Sequence, residues 1–276
     1  MADPLSPAAG PPGAPAPPRI DREARRQRLV QAASGHRLWG GMQRPWVSWS
    51  LLLVLGLVHV ALGLRLWSLG KVDLLGSLLV ARPDPLLIRA GAQYAPAISE
   101  GEAWRLVSCV FLHGDGLHLF LNGMALAGLG RLCEALYGRR RLLFLFLLCG
   151  VAGSTASYLG GHRLSIGASG AIFGLMGAPI VFGWRHRAEL PHGLGDQIRR
   201  SLMPWLGVNL LIGVLVPFID NLAHVGGLVA GGLAALVMGN RVVPGREGPL
   251  WTGWALLALS LATLSTAAWG VWGQWR

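Results

Sequence analysis

Seven stretches of the chain are almost continuously apolar, and all but three of the charged residues, Arg65, Arg131 and Glu134, fall outside them. The runs lie near 47–69, 118–137, 142–159, 168–183, 201–218, 221–239 and 250–272. Their lengths approach the roughly 20 residues that an α-helix needs to cross a bilayer. The pattern predicts seven spans and an all-α, polytopic membrane helical bundle. The fourth run is short. About 15 residues from Ser169 to Gly183 rise only about 22 Å, against about 30 Å of hydrocarbon. One end of that helix is therefore expected below the membrane surface, and a serine stands at one of its ends.

Residues 1–45 form a separate compositional zone. MADPLSPAAGPPGAPAPPRI is rich in Pro, Ala and Gly and is expected to be disordered. DREARRQR follows as a basic run suited to a helix on the membrane surface. No apolar segment begins before residue 46, so a cleaved signal peptide is not expected.

Composition agrees with a membrane protein. Of 276 residues, 53% are hydrophobic and only 13% charged, about half the charged share of a soluble domain; mean hydropathy is +0.48. The net charge of +11 comes from arginine, since Lys71 is the only lysine. These arginines sit between apolar runs, which points to membrane topology rather than to nucleic acid. Arg19, Arg22, Arg25, Arg26, Arg28, Arg37 and Arg44 precede the first span. Arg139 to Arg141, then Arg185, Arg187, Arg199 and Arg200, then Arg241 and Arg246 mark further loops on the same side. The other side carries fewer, spread over a long first loop: Lys71, Arg82, Arg89 and Arg105, then Arg163. The positive-inside rule makes the N-terminus cytoplasmic. Cys109, Cys133 and Cys149 lie in or beside apolar segments without a CxxC spacing, which suits buried small hydrophobes better than a disulfide framework or zinc site.

With this topology the second, fourth and sixth spans all begin in the outer leaflet. Their outer ends carry His118 and Asn122, Ser169, and His224. Polar side chains inside a membrane are costly and face a cavity or one another. Ser169 lies between Gly167 and Gly170 in SIGASGAIFGLMGA. It reads either as part of a small-residue helix start or as an exposed nucleophile. A serine hydroxyl needs a base to take its proton, and His224 in NLAHVGGLVAGG is the candidate. Apolar surroundings favour the neutral, proton-accepting imidazole. Gly227 and Gly231 follow at helical spacing and form a G-x-x-x-G surface on which another helix can approach closely. The start of a helix at Ser169 offers unpaired N–H groups to an oxyanion. His118 and Asn122 are four apart and share a helix face; they either donate to the same oxyanion or satisfy loop backbone. Asp220 either orients His224 or caps its helix. There is no H-E-x-x-H and no pair of intramembrane aspartates, and Ala171 breaks the G-x-S-x-G pattern.

GASGAIFGL at 167–175, AHVGGLVAG at 223–231, HLFLN at 118–122 and Trp104-Arg105 ahead of FLHGDGLH resemble the rhomboid family of intramembrane serine proteases. Glu134 in RLCEALYG also falls where members carry a glutamate. The resemblance covers about 46–240 and implies a six-helix catalytic core there. Residues 241–276 then form an additional C-terminal helix, and 1–45 a disordered, basic cytoplasmic segment. It further implies that Ser169 is the nucleophile and His224 the base, with His118, Asn122 and the Ser169 N–H at the oxyanion. Phe173 would pack on the histidine, and Gly227 would lie at the contact between the fourth and sixth spans. Trp104 and Arg105 would stabilise the first loop. The implied reaction is cleavage of transmembrane proteins in helix-destabilised segments near the outer leaflet, with no metal or organic cofactor and no nucleic-acid partner. The expected location is a bacterial inner membrane. An inactive relative that binds membrane proteins, and a small transporter, are the competing readings.

Overall fold

The computed structural model describes residues 22–40, 44–70, 72–191, 193–217 and 219–276. Residues 1–20, expected to be disordered, and Lys71 lie outside the described residues. In chain order the elements are α1 (Arg22–Gly40), α2 (Trp46–Ser68), α3 (Leu74–Leu79), α4 (Asp84–Arg89), β1 (Gln93–Tyr94), α5 (Ala95–Ser99) and α6 (Arg105–Ser108). A 3-10 turn, Cys109–Phe111, leads into α7 (Gly116–Tyr137) and α8 (Arg139–Leu159). Then follow β2 (Leu164–Ser165), α9 (Ser169–Arg185), α10 (Leu194–Leu215), α11 (Asn221–Val237) and α12 (Leu250–Gly273). The fold is an all-α polytopic bundle with one two-residue ribbon. Among the described residues, five helices are long and apolar enough to cross a membrane: α2, α7, α8, α10 and α12. The remaining two, α9 and α11, have 17 residues each, a rise of about 25 Å.

Most boundaries agree with the apolar runs to within three residues. The exception is α10, which starts at Leu194 rather than near 201. Gly193, at φ +77°, ends the preceding turn, and GDQIRR then continues the helix beyond its apolar stretch. The N-terminal zone also departs from expectation. The basic run is helical, as its composition suggested, but the helix spans residues 22–40 and so runs well past DREARRQR into residues assigned to a disordered segment. The Gln27 and Gln31 amides both donate to the Ala188 carbonyl, at 3.3 and 3.1 Å, so α1 is held on the loop after α9.

The centre of the bundle is α9, with 12 of its 17 residues buried, between α8 and α11. It contains Pro179, whose ring nitrogen cannot bond back to Leu175. The carbonyl so released accepts the Cys133 thiol at 3.2 Å, and the Ala178 carbonyl beside the proline accepts the Tyr137 hydroxyl at 3.2 Å. All three cysteines are buried and free. At the end of the bundle away from Ser169, the buried Glu134 carboxylate accepts from the Val47 and Ser48 amides and the Ser48 hydroxyl at 3.2, 3.0 and 2.7 Å. It supplies the N-terminus of α2 with the cap that Pro45 cannot provide.

The long first loop is structured. Arg105 is buried and donates to Glu102, to the Ile88 carbonyl and to the Ala92 carbonyl, at 2.5, 2.5 and 3.2 Å. Arg82 is likewise buried and donates to the His113 and His59 carbonyls at 3.2 and 2.9 Å. The antiparallel pair β1–β2, with Gln93 opposite Ser165, fastens this loop to the segment entering α9.

Candidate active site

Ser169 is the first residue of α9, and its position follows from the chain before it. Gly167 has φ +118°, a conformation that side chains rarely adopt, and this bend directs the chain from β2 into the helix. A Cβ there would press on the His118 ring, 2.8 Å from Nε2. That imidazole therefore lies directly against the turn that presents Ser169. Ser169 itself is only half-buried, whereas Ala168 and Gly170 on either side are buried.

His224 comes from the first turn of α11. Its Nε2 lies 2.9 Å from the Ser169 hydroxyl oxygen. The Phe173 ring, one turn down α9, stacks on the imidazole with centroids 4.1 Å apart and planes within 8°. This approach requires α9 and α11 to touch through backbone. A Cβ on Gly227 would fall on the Gly170 carbonyl oxygen, and one on Gly231 on that of Gly174. Small residues on both helices thus set the distance at which serine and histidine meet.

The two residues expected as oxyanion donors, His118 and Asn122, lie on the neighbouring helix α7. Asp115 caps α7 by accepting from the His118 amide at 2.8 Å, which fixes the first turn. Asn122 is buried one turn further on, its amide donating to the His118 carbonyl at 3.0 Å. His118 is thus beside the Gly167 turn, and Asn122 lies on the same face of α7 one turn deeper. Neither makes a hydrogen bond to Ser169. In the first loop, Trp104 packs on Gly270 of α12, and the Arg105 guanidinium lies 4.6 Å over its ring. The Trp-Arg pair therefore holds the loop and does not reach the serine.

Asp220 was open to two readings. Its Oδ1 accepts from the Ala223 amide at 3.0 Å, and its Oδ2 from the Ser165 hydroxyl at 2.7 Å. The His224 Nδ1 is buried without a hydrogen-bond partner. Asp220 caps the helix and does not orient the imidazole. Sequence reasoning missed Ser165, and it also missed Gly153 and Gly174, which let α8 and α9 approach the site. The small residues Gly150, Gly153, Ser154 and Ser157 on one face of α8 carried a signal for that approach. An apolar crevice of about 410 Å³ lies between α9, α10 and α11 at the end away from Ser169, and carries no titratable side chain.

Residues 100–241 match the family model described as the Rhomboid domain, about half of the chain. RHOMBOID-like protein 5 of Arabidopsis thaliana is 33% identical over 218 residues, which cover 70% of this chain and 69% of that protein. Rhomboid protease GluP of Bacillus subtilis is 37% identical over 153 residues, 55% of this chain and 29% of that protein. Rhomboid-like protease 1 of Toxoplasma gondii is 29% identical over 178 residues, 63% of this chain and 59% of that protein. The chain thus spans most of the first relative and less than a third of the second.

Proposed function

The chain belongs to the rhomboid family, and we propose that it is an intramembrane serine endopeptidase working through a Ser169–His224 dyad. It is an integral membrane protein, and relatives named as proteases support the activity at family level. The observation that carries the reading is the 2.9 Å contact between the Ser169 hydroxyl and His224 Nε2.

The steps follow from that pair. Ser169 Oγ attacks the carbonyl carbon of the scissile peptide bond while His224 Nε2 takes the hydroxyl proton. The tetrahedral oxyanion is met by the Ser169 N–H at the start of α9, with His118 and Asn122 as further donors. Collapse breaks the C–N bond, and His224 passes its proton to the leaving amine. Water then attacks the acyl-enzyme, again giving its proton to His224, and the serine is restored. The imidazole is held by Phe173 rather than by a carboxylate, so two residues perform the work of a triad. Substrates are transmembrane proteins whose segment near the outer leaflet is readily unwound, because helical carbonyls are hydrogen-bonded and covered. The half-buried position of Ser169 suits entry of water from that side. The arginine distribution supports a cytoplasmic N-terminus, and composition supports a bacterial inner membrane.

The test is cleavage of a transmembrane peptide carrying a helix breaker and a small residue before the cut, by purified protein in liposomes. Ser169→Ala and His224→Ala are each expected to lower turnover by at least about a thousandfold with the fold retained. Turnover surviving in Ser169→Ala would reject the serine mechanism.

A further inference from the structure

One turn outward from the reacting pair, a second contact spans the same two segments. The Ser165 hydroxyl donates to Asp220 Oδ2 at 2.7 Å. Fifty-five residues separate Ser165 from Asp220, and 55 separate Ser169 from His224. Each member of the outer pair precedes its inner counterpart by four residues. Both outer residues are fixed independently of one another. Ser165 is in β2, paired with Gln93 of β1, and the Gly167 amide two residues later donates to the Cys109 carbonyl at 3.0 Å. Asp220 is the N-cap of α11, through the Ala223 amide. His162 stands 3.7 Å from the other carboxylate oxygen, at the rim.

We propose that Ser165 and Asp220 are positioning residues, an outer rung that sets the separation of Ser169 and His224 during turnover. This rests on the dyad reading above. The Gly170–Gly227 and Gly174–Gly231 contacts fix α9 and α11 below the reacting atoms. Above them the chain before Ser169 is a turn rather than a helix, and glycine makes it pliant. Substrate must enter on that side. The Ser165–Asp220 bond is the short side-chain link between the two segments there, closer than the His162 contact, and it is a charge-assisted one. Nδ1 of His224 has no hydrogen-bond partner, so the rung acts by position rather than by a hydrogen bond to the imidazole.

Ser165→Ala separates this role from helix capping, since Asp220 still accepts from Ala223. The expected result is a fall in kcat of about tenfold with KM unchanged and a melting temperature close to that of the wild type. The rate at which a fluorophosphonate labels Ser169 is expected to fall in parallel. Ser165→Thr keeps the hydroxyl and is expected to restore kcat to within about twofold. Asp220→Asn keeps an acceptor for Ala223 and an amide donor toward the Ser165 oxygen, and is expected to be milder than Asp220→Ala. The Ser165→Ala/Asp220→Ala double variant is expected to turn over no more slowly than Asp220→Ala alone, as members of one contact do. Wild-type kcat in Ser165→Ala, with wild-type activity dependent on Ser169, would overturn the rung and leave the dyad standing. Activity independent of Ser169 would overturn both.

Discussion

His224 is pinned on two sides, by the Ser169 hydroxyl at Nε2 and by the face of Phe173. With Nδ1 unpartnered, the aromatic stack is what remains to hold the ring plane. Phe173→Leu keeps most of the apolar volume and loses the flat surface. It is expected to lower kcat about tenfold, with a smaller change in KM, in the same cleavage assay. Retention of wild-type kcat would show that the ring is oriented by other means. Glu134 makes a residue-scale prediction about stability. It caps α2 with both carboxylate oxygens, so Glu134→Ala is expected to destabilise the fold by about 1–3 kcal/mol in a reversible denaturation assay. The meeting of Ser169, His224 and Phe173 was legible because their neighbours form short local patterns. The role of Asp220 was not, because an Asp-Asn pair at a helix start satisfies capping and catalysis equally well in sequence. Ser165 gave no signal at all: its partner lies 55 residues away, and local pattern carries no information about such a pairing.

Among the helices, the α9–α11 contact decides the geometry. Gly227 meets the Gly170 carbonyl oxygen, which cannot yield without shifting the turn that holds Ser169. Gly227→Val is therefore expected to abolish turnover and to lower the melting temperature. Gly128, on α7 with open space around its α-carbon, is the matched control, and Gly128→Ala is expected to leave both intact. The helix α1 belongs to this scale too. Arg37 pairs with Glu247, and Arg246 with Glu189 at 3.3 Å. The hydrogen bond from Arg37 holds the Glu247 carboxyl below its usual pKa, against the opposing effect of burial. For Glu189, partial burial acts upward, and His186 and Arg246 together outweigh it, so its pKa is also lowered. A carboxylate whose folded pKa is depressed contributes stability above its unfolded value and loses it as pH falls through the folded one. Spin labels at positions 28 and 197 are therefore expected to keep one distance near neutral pH, and to broaden in acid as pH falls through the lowered pKa values of these carboxylates. Apolar runs located the spans well, since burial in lipid and in protein demands the same composition. They misjudged the start of α10, where the helix extends past its apolar part, and the docking of α1, which draws on glutamine amides and the Arg37–Glu247 pair.

Across the whole molecule, α12 and the residues just after it are joined to the first loop at the Ser169 end. Trp104 packs on Gly270, Gln274 donates to Glu102 at 3.1 Å, and Arg89 lies 4.8 Å over the Trp275 ring. Glu102 also carries Arg105, which holds two loop carbonyls. Ending the chain after residue 249 is expected to raise hydrogen exchange across 88–105, while 169–185 stays protected; unchanged exchange in the loop would mean that α12 does not hold it. The first-loop framework of four short helices was beyond sequence reading, because each is set by long-range hydrogen bonds rather than by its own periodicity. The claim on which the account turns is that Ser169 is a nucleophile activated by His224. The most direct measurement is mass spectrometry of the purified protein after reaction with a fluorophosphonate, for wild type and His224→Ala. The account predicts a single adduct on the peptide containing Ser169 in the wild type, and labelling at least about a hundredfold slower in His224→Ala. An adduct on another residue, or equal labelling rates in the two proteins, would contradict it.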